Sequence, residues 1–360
     1  PAIFATGGKG RYVDAIQWLQ WADYSKFDGV AKPNVPVLDY GETRNFTNTR
    51  DLGDAGTLVT TCTLSNLQHL GHPGKMPKEQ STGPLVATIP GAWAGDALDN
   101  LYNVGGPGQW TDGSAAWHAG LKYPQDYVNK NQMVIGLANG YAYNGNKTWD
   151  GKDWGTPGSD TTPTGFNARV SVDYSCKAEL RASDGSVKNV PLQGLVFADA
   201  EASSKRFGVK PLRDAPDEWS DEWVQASTSQ PVTWRVLDTL KSDNCPTTTN
   251  AEISGGGRTL RLMPTGDECV YQNGGRYSRP NGLGGPDAVM LMQGATSATI
   301  TIQGAGYSAV ALGLIVATDF GDAPSSYGNA GALFEPKWTE GEISRTTDVF
   351  SVPQASMYMD

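Results

Sequence analysis

Residues 167–181 constrain the fold more than any other part of the sequence. Val170, Val172, Tyr174, Cys176, Ala178 and Leu180 alternate with Arg169, Ser171, Asp173, Ser175, Lys177, Glu179 and Arg181. An apolar stripe on a helix recurs every three to four residues, so a sustained period of two predicts an antiparallel strand with one dry and one wet face. Asp184-Gly185 is a turn dipeptide, and 190–198 (VPLQGLVFA) reads as the next strand, which makes a hairpin.

Further short strands are expected over 12–21, 57–64, 230–240, 258–263, 288–293, 298–303 and 307–317, separated by Gly, Pro and Asn clusters. The apolar run 309–317 reads as a strand buried on both faces, because it is far too short to span a bilayer. Helical periodicity is weak: 94–104 and 218–225 are the only candidates. Many short strands with few helices point to a mainly β fold, a β-sandwich or jelly roll with long loops. The chain has 360 residues with 44 glycines and 22 prolines, a turn-rich composition. The expected division is a sandwich of one or two units over 1–318 and a C-terminal extension over 319–360. Phe334, Trp338, Phe350 and Tyr358 make that extension too apolar for a free tail.

The net charge of −10 argues against nucleic acid, which needs a basic footprint, and against electrostatic docking on an anionic membrane. It suits a protein that binds a cation, or a ligand read by aromatic rings and amides. No apolar run is long enough for membrane insertion. The four cysteines form no CxxC pair. Cys245 and Cys269 flank a Gly-rich excursion and are expected to pair, which leaves Cys62 with Cys176. The alternative is four buried free thiols. The acidic, Thr/Gly/Asn-rich composition leans towards an extracellular, disulfide-permissive setting.

No Ser occupies a GxSxG elbow, and no GxGxxG follows a strand. Asp199 and Glu201 end a predicted strand and share a face as i, i+2 residues. They could serve a polysaccharide-active enzyme on a jelly roll, which needs two carboxylates across a cleft. Calcium is the better use of these oxygens, with Asp319 and Asp322 as a second oxygen cluster. Otherwise no cofactor and no catalytic residue is expected.

The polar excursion 139–165 carries more information, since loops of that length are commonly functional. Tyr141, Trp149 and Trp154 could stack on the C–H faces of a sugar, while Asn144, Asn146 and Asp153 bond its hydroxyls. Trp110 and Asp112 lie in a similar stretch. The same tryptophans would equally serve as plugs at the ends of a sandwich. Trp18 and Trp21 read as core, with Ile16 and Trp18 on one side of a strand and Trp21 on the other.

Three segments taken in order suggest a family. Residues 5–12 (ATGGKGRY) with 16–21 (IQWLQW) resemble the start of the CshA-type fibrillar adhesins of Gram-positive bacteria. Residues 194–202 (GLVFADAEA), with TWRV at 233–236, look like the ligand-binding region of that family. Residues 319–328 (DFGDAPSSYG) are similar to the DxGDAPxSYG signature of bacterial surface proteins. The resemblance implies a secreted, cell-wall-anchored adhesin, with a lectin-like β-sandwich as its adhesive domain over 1–318 and 319–360 as a C-terminal extension or the start of the stalk. Its non-repetitive tip would bind a host extracellular-matrix glycoprotein such as fibronectin, or a cell-surface glycan, without catalysis. The chain shows no repetitive stalk, no sorting signal and no disordered leader, so it is expected to be an isolated, monomeric adhesive region without its anchor. A structural spacer in a surface fibre is a further alternative.

Overall fold

The computed structural model describes residues 1–5, 8–20, 22–23, 37–38, 41–71, 86–87, 97–102, 131–132, 134–137, 168–200, 203, 205, 221–241, 245–266, 269, 286–304, 309–316 and 336–358. In chain order the strands are β1 (Ala2–Phe4), β2 (Ile16–Leu19), β3 (Ala22–Asp23), β4 (Val37–Leu38), β5 (Arg44–Asp51), β6 (Thr57–Gly71) and β7 (Val86–Ala87). Helix α1 (Ala97–Tyr102) follows, then β8 (Asn131–Gln132), β9 (Val134–Leu137), β10 (Ala168–Arg181), β11 (Val187–Val190), β12 (Leu192–Asp199), β13 (Trp223–Ser227) and β14 (Thr233–Leu240). The remaining strands are β15 (Thr249–Ser254), β16 (Thr259–Pro264), β17 (Asp287–Gln293), β18 (Ser297–Gly304), β19 (Ala309–Val316), β20 (Lys337–Thr339), β21 (Glu342–Ile343), β22 (Thr347–Asp348) and β23 (Ser356–Tyr358).

Two large antiparallel sheets dominate. A ten-stranded sheet runs β21-β14-β17-β12-β19-β9-β7-β4, with β2 also on β19 and β1 on β2. A nine-stranded sheet runs β22-β15-β16-β13-β18-β10-β6-β5, with β11 on β10. The fold is therefore the expected mainly β sandwich. Its core lies between the sheets: Leu195, Phe197, Met290, Met292, Leu312 and Leu314 of the ten-stranded sheet share one buried cluster with Val170, Val172, Tyr174, Leu260, Leu262, Ile300 and Ile302 of the other. The alternation along β10 sets this up, since its even-numbered residues from Val170 to Ala178 are buried in that core.

Among the described residues, two aromatic side chains make polar contacts across the sandwich. The Tyr174 hydroxyl donates to the facing carbonyls of Val196 and Gly313, 2.9 Å and 2.8 Å away. The Trp234 indole N–H donates to Gly257 O at 2.8 Å, in the turn between β15 and β16. Trp234 also meets Phe197 edge to face at 6.4 Å between centroids.

The ten-stranded sheet is buried on its other face too. There Val196, Ala198, Val289, Leu291 and Ile315 pack with Ile16, Trp18, Leu98, Leu101, Tyr102 and Trp338. This second core explains the unbroken apolar runs of β12, β17 and β19, which have no solvent face. Gly313 is required where β2 crosses β19, because a Cβ there would lie 2.7 Å from Gln17 O. Ile16 and Trp18 share this cluster, as their spacing predicts; Trp21 lies outside the described residues.

Both cysteine pairs are bonded as expected. Cys62 and Cys176 are direct cross-strand partners on β6 and β10, with Cα atoms 4.0 Å apart. Cys245 and Cys269 join with Cα atoms 5.8 Å apart.

The structure corrects the sequence reading at three places. The segment expected as one strand over 190–198 divides at Pro191. β11 pairs with β10 in the nine-stranded sheet, while β12 pairs with β17 and β19 in the other. Proline has no N–H for a ladder, so the chain changes sheets there. The expected helix over 218–225 is not formed at its described end: β13 begins at Trp223 and pairs with β16 and β18. Its Val224 and Ala226 enter the core. Finally, β6 continues past residue 64 to Gly71, through an irregularity where Asn66 takes a φ of 56°.

The segment 336–358 is built into the sandwich. β21 extends the ten-stranded sheet along β14, β22 extends the nine-stranded sheet along β15, and β20 pairs with β23. Ile343 and Val349 enter the core between the sheets. Trp338 enters the second core, and its indole N–H donates to Gln193 Oε1 at 3.0 Å.

Candidate functional site

Most residues singled out from the sequence fall outside the described residues: Tyr141, Asn144, Asn146, Trp149, Asp153 and Trp154 of the long excursion, Trp110 and Asp112, and the carboxylates Glu201, Asp319 and Asp322. Asp199 is described. It ends β12, is buried, and its Oδ2 accepts from Ser203 Oγ at 2.7 Å. Among the described residues no three His, Cys, Asp or Glu side chains gather as a metal centre would require.

What the structure assembles is the outer face of the nine-stranded sheet. Antiparallel register turns the wet positions of its strands into transverse rows. One row runs Ser171, Thr301, Gln225, Arg261, Glu252 across β10, β18, β13, β16 and β15. The next runs Ser65, Asp173, Thr299, Ser227, Thr259, Ser254. In this row Asp173 is satisfied, accepting from Thr299 Oγ1 at 2.6 Å and Asn66 Nδ2 at 2.9 Å.

On the other side of the Arg261 row, Gln303 stands opposite both Arg169 and Trp223. Trp223 points out of the core, yet it is only 2% exposed. Two guanidiniums cover it: Arg261 Cζ lies 3.8 Å and Arg169 Cζ 5.0 Å from the ring centroid. Neutral amides hold both. Arg169 donates from Nε and Nη2 to Gln303 Oε1 at 3.0 Å and 2.8 Å, and Arg261 donates from Nε to Gln225 Oε1 at 2.9 Å. Gln303 is held in turn through Nε2 by Asp221 O at 2.7 Å. Burial first, and then the like charge of Arg169, hold the Arg261 guanidinium below its ordinary pKa, with Glu252 opposing.

Towards the β5 edge of the sheet lies a groove of about 700 Å³. Thr47, Thr49, Thr57 and Thr61 line it with hydroxyls, and Asp51 and Arg181 supply charge. The chemistry of this face is therefore hydroxyl and amide donors with fixed guanidiniums, which suits recognition of a polar ligand.

A second polar cluster lies on the outer side of the ten-stranded sheet and is buried. The Asp238 carboxylate accepts from the Tyr102 hydroxyl and, at 3.3 Å, from the Arg11 backbone N–H. The neighbouring Tyr12 hydroxyl donates to Ala355 O. Burial outweighs these hydrogen bonds and raises Asp238 from 3.8 to about 6. Burial likewise pushes both phenols up. The cluster ties the N-terminal segment, α1, β14 and the C-terminal segment together, which is a structural task.

Reading the sequence alone missed the Arg169–Trp223–Arg261 group. The three residues come from β10, β13 and β16, and the expected helix over 218–225 left Trp223 without a sheet face. Arg169 was legible as a wet-face residue, but its neighbours depend on register.

A family model described as surface adhesin CshA non-repetitive domain 2 matches residues 14–316. Among solved structures, the chain is similar to the N-terminal domain of the Streptococcus gordonii adhesin Sgo0707, at 9% sequence identity and a TM-score of 0.29, over 94% of this chain and 67% of that one. A likeness that loose carries no argument. No curated protein matches the chain.

Proposed function

This chain belongs to the family of the surface adhesin CshA non-repetitive domain 2, and on that premise we propose that it is the ligand-binding module of a bacterial cell-surface adhesin, taking a host extracellular-matrix glycoprotein or a cell-surface glycan without turning it over. The family match over residues 14–316 carries this reading. The family places the protein outside the cell, a setting in which its two disulfides persist. Among the described residues no helix is long and apolar enough to cross a membrane. Attachment to the cell wall completes the proposal.

The doubly covered ten-stranded sheet makes a stiff scaffold, and stiff scaffolds commonly present ligand through long loops. In this reading Tyr141, Trp149 and Trp154 form a stacking platform, Asn144, Asn146 and Asp153 bond hydroxyls, and Trp110 with Asp112 extends the surface. A calcium ion held by Asp199, Glu201, Asp319 or Asp322 would brace the loops.

The test is binding to a mixed array of matrix proteins and glycans, in calcium and then in EDTA, with turnover of each glycan followed in parallel. Saturable binding without turnover is expected. Trp149→Ala or Trp154→Ala should weaken it by roughly 2–4 kcal/mol if the residue is a hot spot. Wild-type affinity in both variants would sink the platform, and turnover abolished by Glu201→Gln would replace the adhesin by an enzyme.

A further inference from the structure

We infer that Arg261 and Arg169, braced on Trp223, form an anion-binding site on the outer face of the nine-stranded sheet that takes the carboxylate or sulfate group of an acidic saccharide. The site uses none of the residues assigned to the loop platform. The choice of a saccharide rests on the adhesin reading, whereas the anion site itself does not.

The first observation is the crowding of like charge. A single guanidinium is enough to cover an indole, and the pair is favourable through cation–π attraction. Here two lie at 3.8 Å and 5.0 Å from one ring. The like charge of Arg169 opposes that of Arg261, and an anion gripped by the Arg261 fork would relieve that opposition.

The second observation is how Arg261 is held. Its Nε is fixed by a neutral amide oxygen of Gln225 at 2.9 Å. An amide orients the guanidinium without cancelling its charge. Among the described residues no carboxylate approaches Arg261 to within salt-bridge distance; Glu252, opposite it across the β15–β16 ladder, acts on it only through space. Its terminal nitrogens Nη1 and Nη2, the fork that grips a carboxylate or sulfate in bidentate fashion, make no hydrogen bond among the described residues. Trp223 sets the plane of that fork, so little side-chain entropy is lost when a ligand arrives.

The third observation is the company of the pair. Along the same row stand the buried Ser171 and Thr301 and the half-buried amide of Gln225, and the buried Gln303 stands in the next. A half-buried amide beside a fixed cation matches a ring that carries one anionic group among several hydroxyls. The protein as a whole carries a net charge of −10, so attraction of an anion is local and should be screened by modest salt.

The test is calorimetric titration of the full chain at low salt with a hyaluronan hexasaccharide, which carries carboxylates alone, and a heparin hexasaccharide, which adds sulfates. A neutral cello-oligosaccharide and an acidic peptide serve as comparisons. Saturable binding of at least one acidic saccharide is expected, with the two arms distinguishing carboxylate from sulfate. Arg261→Gln should weaken it roughly ten- to hundredfold, the loss of a hydrogen-bonded charge pair. Arg261→Lys keeps the charge but not the fork and should fall between; if Arg261→Gln fails to fold, that variant and Arg169→Gln carry the test. Affinity unchanged in all three folded variants would overturn the site. Preference for the acidic peptide over both acidic saccharides would overturn the ligand class. A protein that binds matrix ligands on the array but neither acidic saccharide would overturn this inference while leaving the adhesin reading intact.

Discussion

Asp238→Asn should abolish a specific part of the pH dependence of stability. Asp238 is 2% exposed, and its carboxyl is raised from 3.8 to about 6, chiefly by burial. A carboxyl raised on folding binds its proton more tightly in the folded state than in the unfolded one. The folded state therefore gains as pH falls through about 6 towards 4, and loses as pH rises through about 6. A shift of about two units at 1.36 kcal/mol each is roughly 3 kcal/mol across that window. Asparagine is neutral at every pH but keeps an oxygen that can accept the Arg11 N–H. The difference in unfolding free energy, wild type minus variant, should thus fall by about 2.5 kcal/mol between pH 4 and pH 7.5. Urea unfolding followed by tryptophan fluorescence, with the disulfides intact, measures it at each pH. Pairing each pH point with the variant removes the contribution of every other carboxylate. Parallel pH profiles for the two proteins, or a difference that widens in the opposite sense, would refute the assignment of a buried, proton-binding Asp238.

Two further expectations test the architecture. Gly313→Ala drives a Cβ to 2.7 Å from Gln17 O where β2 meets β19; it should cost about 1–3 kcal/mol and raise amide exchange across β2, and an unchanged midpoint would show that the approach is not tight. Replacing Cys62 and Cys176 together by alanine opens a link between residues 114 apart; the chain-entropy model gives a loss of about 4–5 kcal/mol, larger than for the Cys245–Cys269 pair, and thermal unfolding of the two double variants should rank them in that order.

The β class was legible because its cause is local. The alternation of residues 169–181 reports one wet and one dry face, and the structure places Val170, Val172 and Tyr174 in the core as that pattern requires. Ile16 and Trp18 were legible for the same reason. The cysteine pairing was open to reading because Cys245 and Cys269 are near in sequence, which leaves one partner for Cys62. Where the reading failed, two structures shared one local pattern. Residues 190–198 are apolar enough to continue any strand, and that Pro191 marks a passage from one sheet to the other is seen only once β11 and β12 have their partners. Trp223-Val224 suits a helix or a strand until β16 and β18 lie on either side.

By itself, then, the sequence determined which residues turn inward, where the chain bends, that it is acidic, and which family its segments resemble, since these follow from composition and short-range period. Tertiary structure alone decided which elements cover the second dry face of the ten-stranded sheet, that the C-terminal segment adds a strand to both sheets, and that Arg169, Trp223 and Arg261 meet on one surface. Each of these depends on register between strands far apart in the chain. A shift of one residue in that register would turn the same side chains to the opposite face.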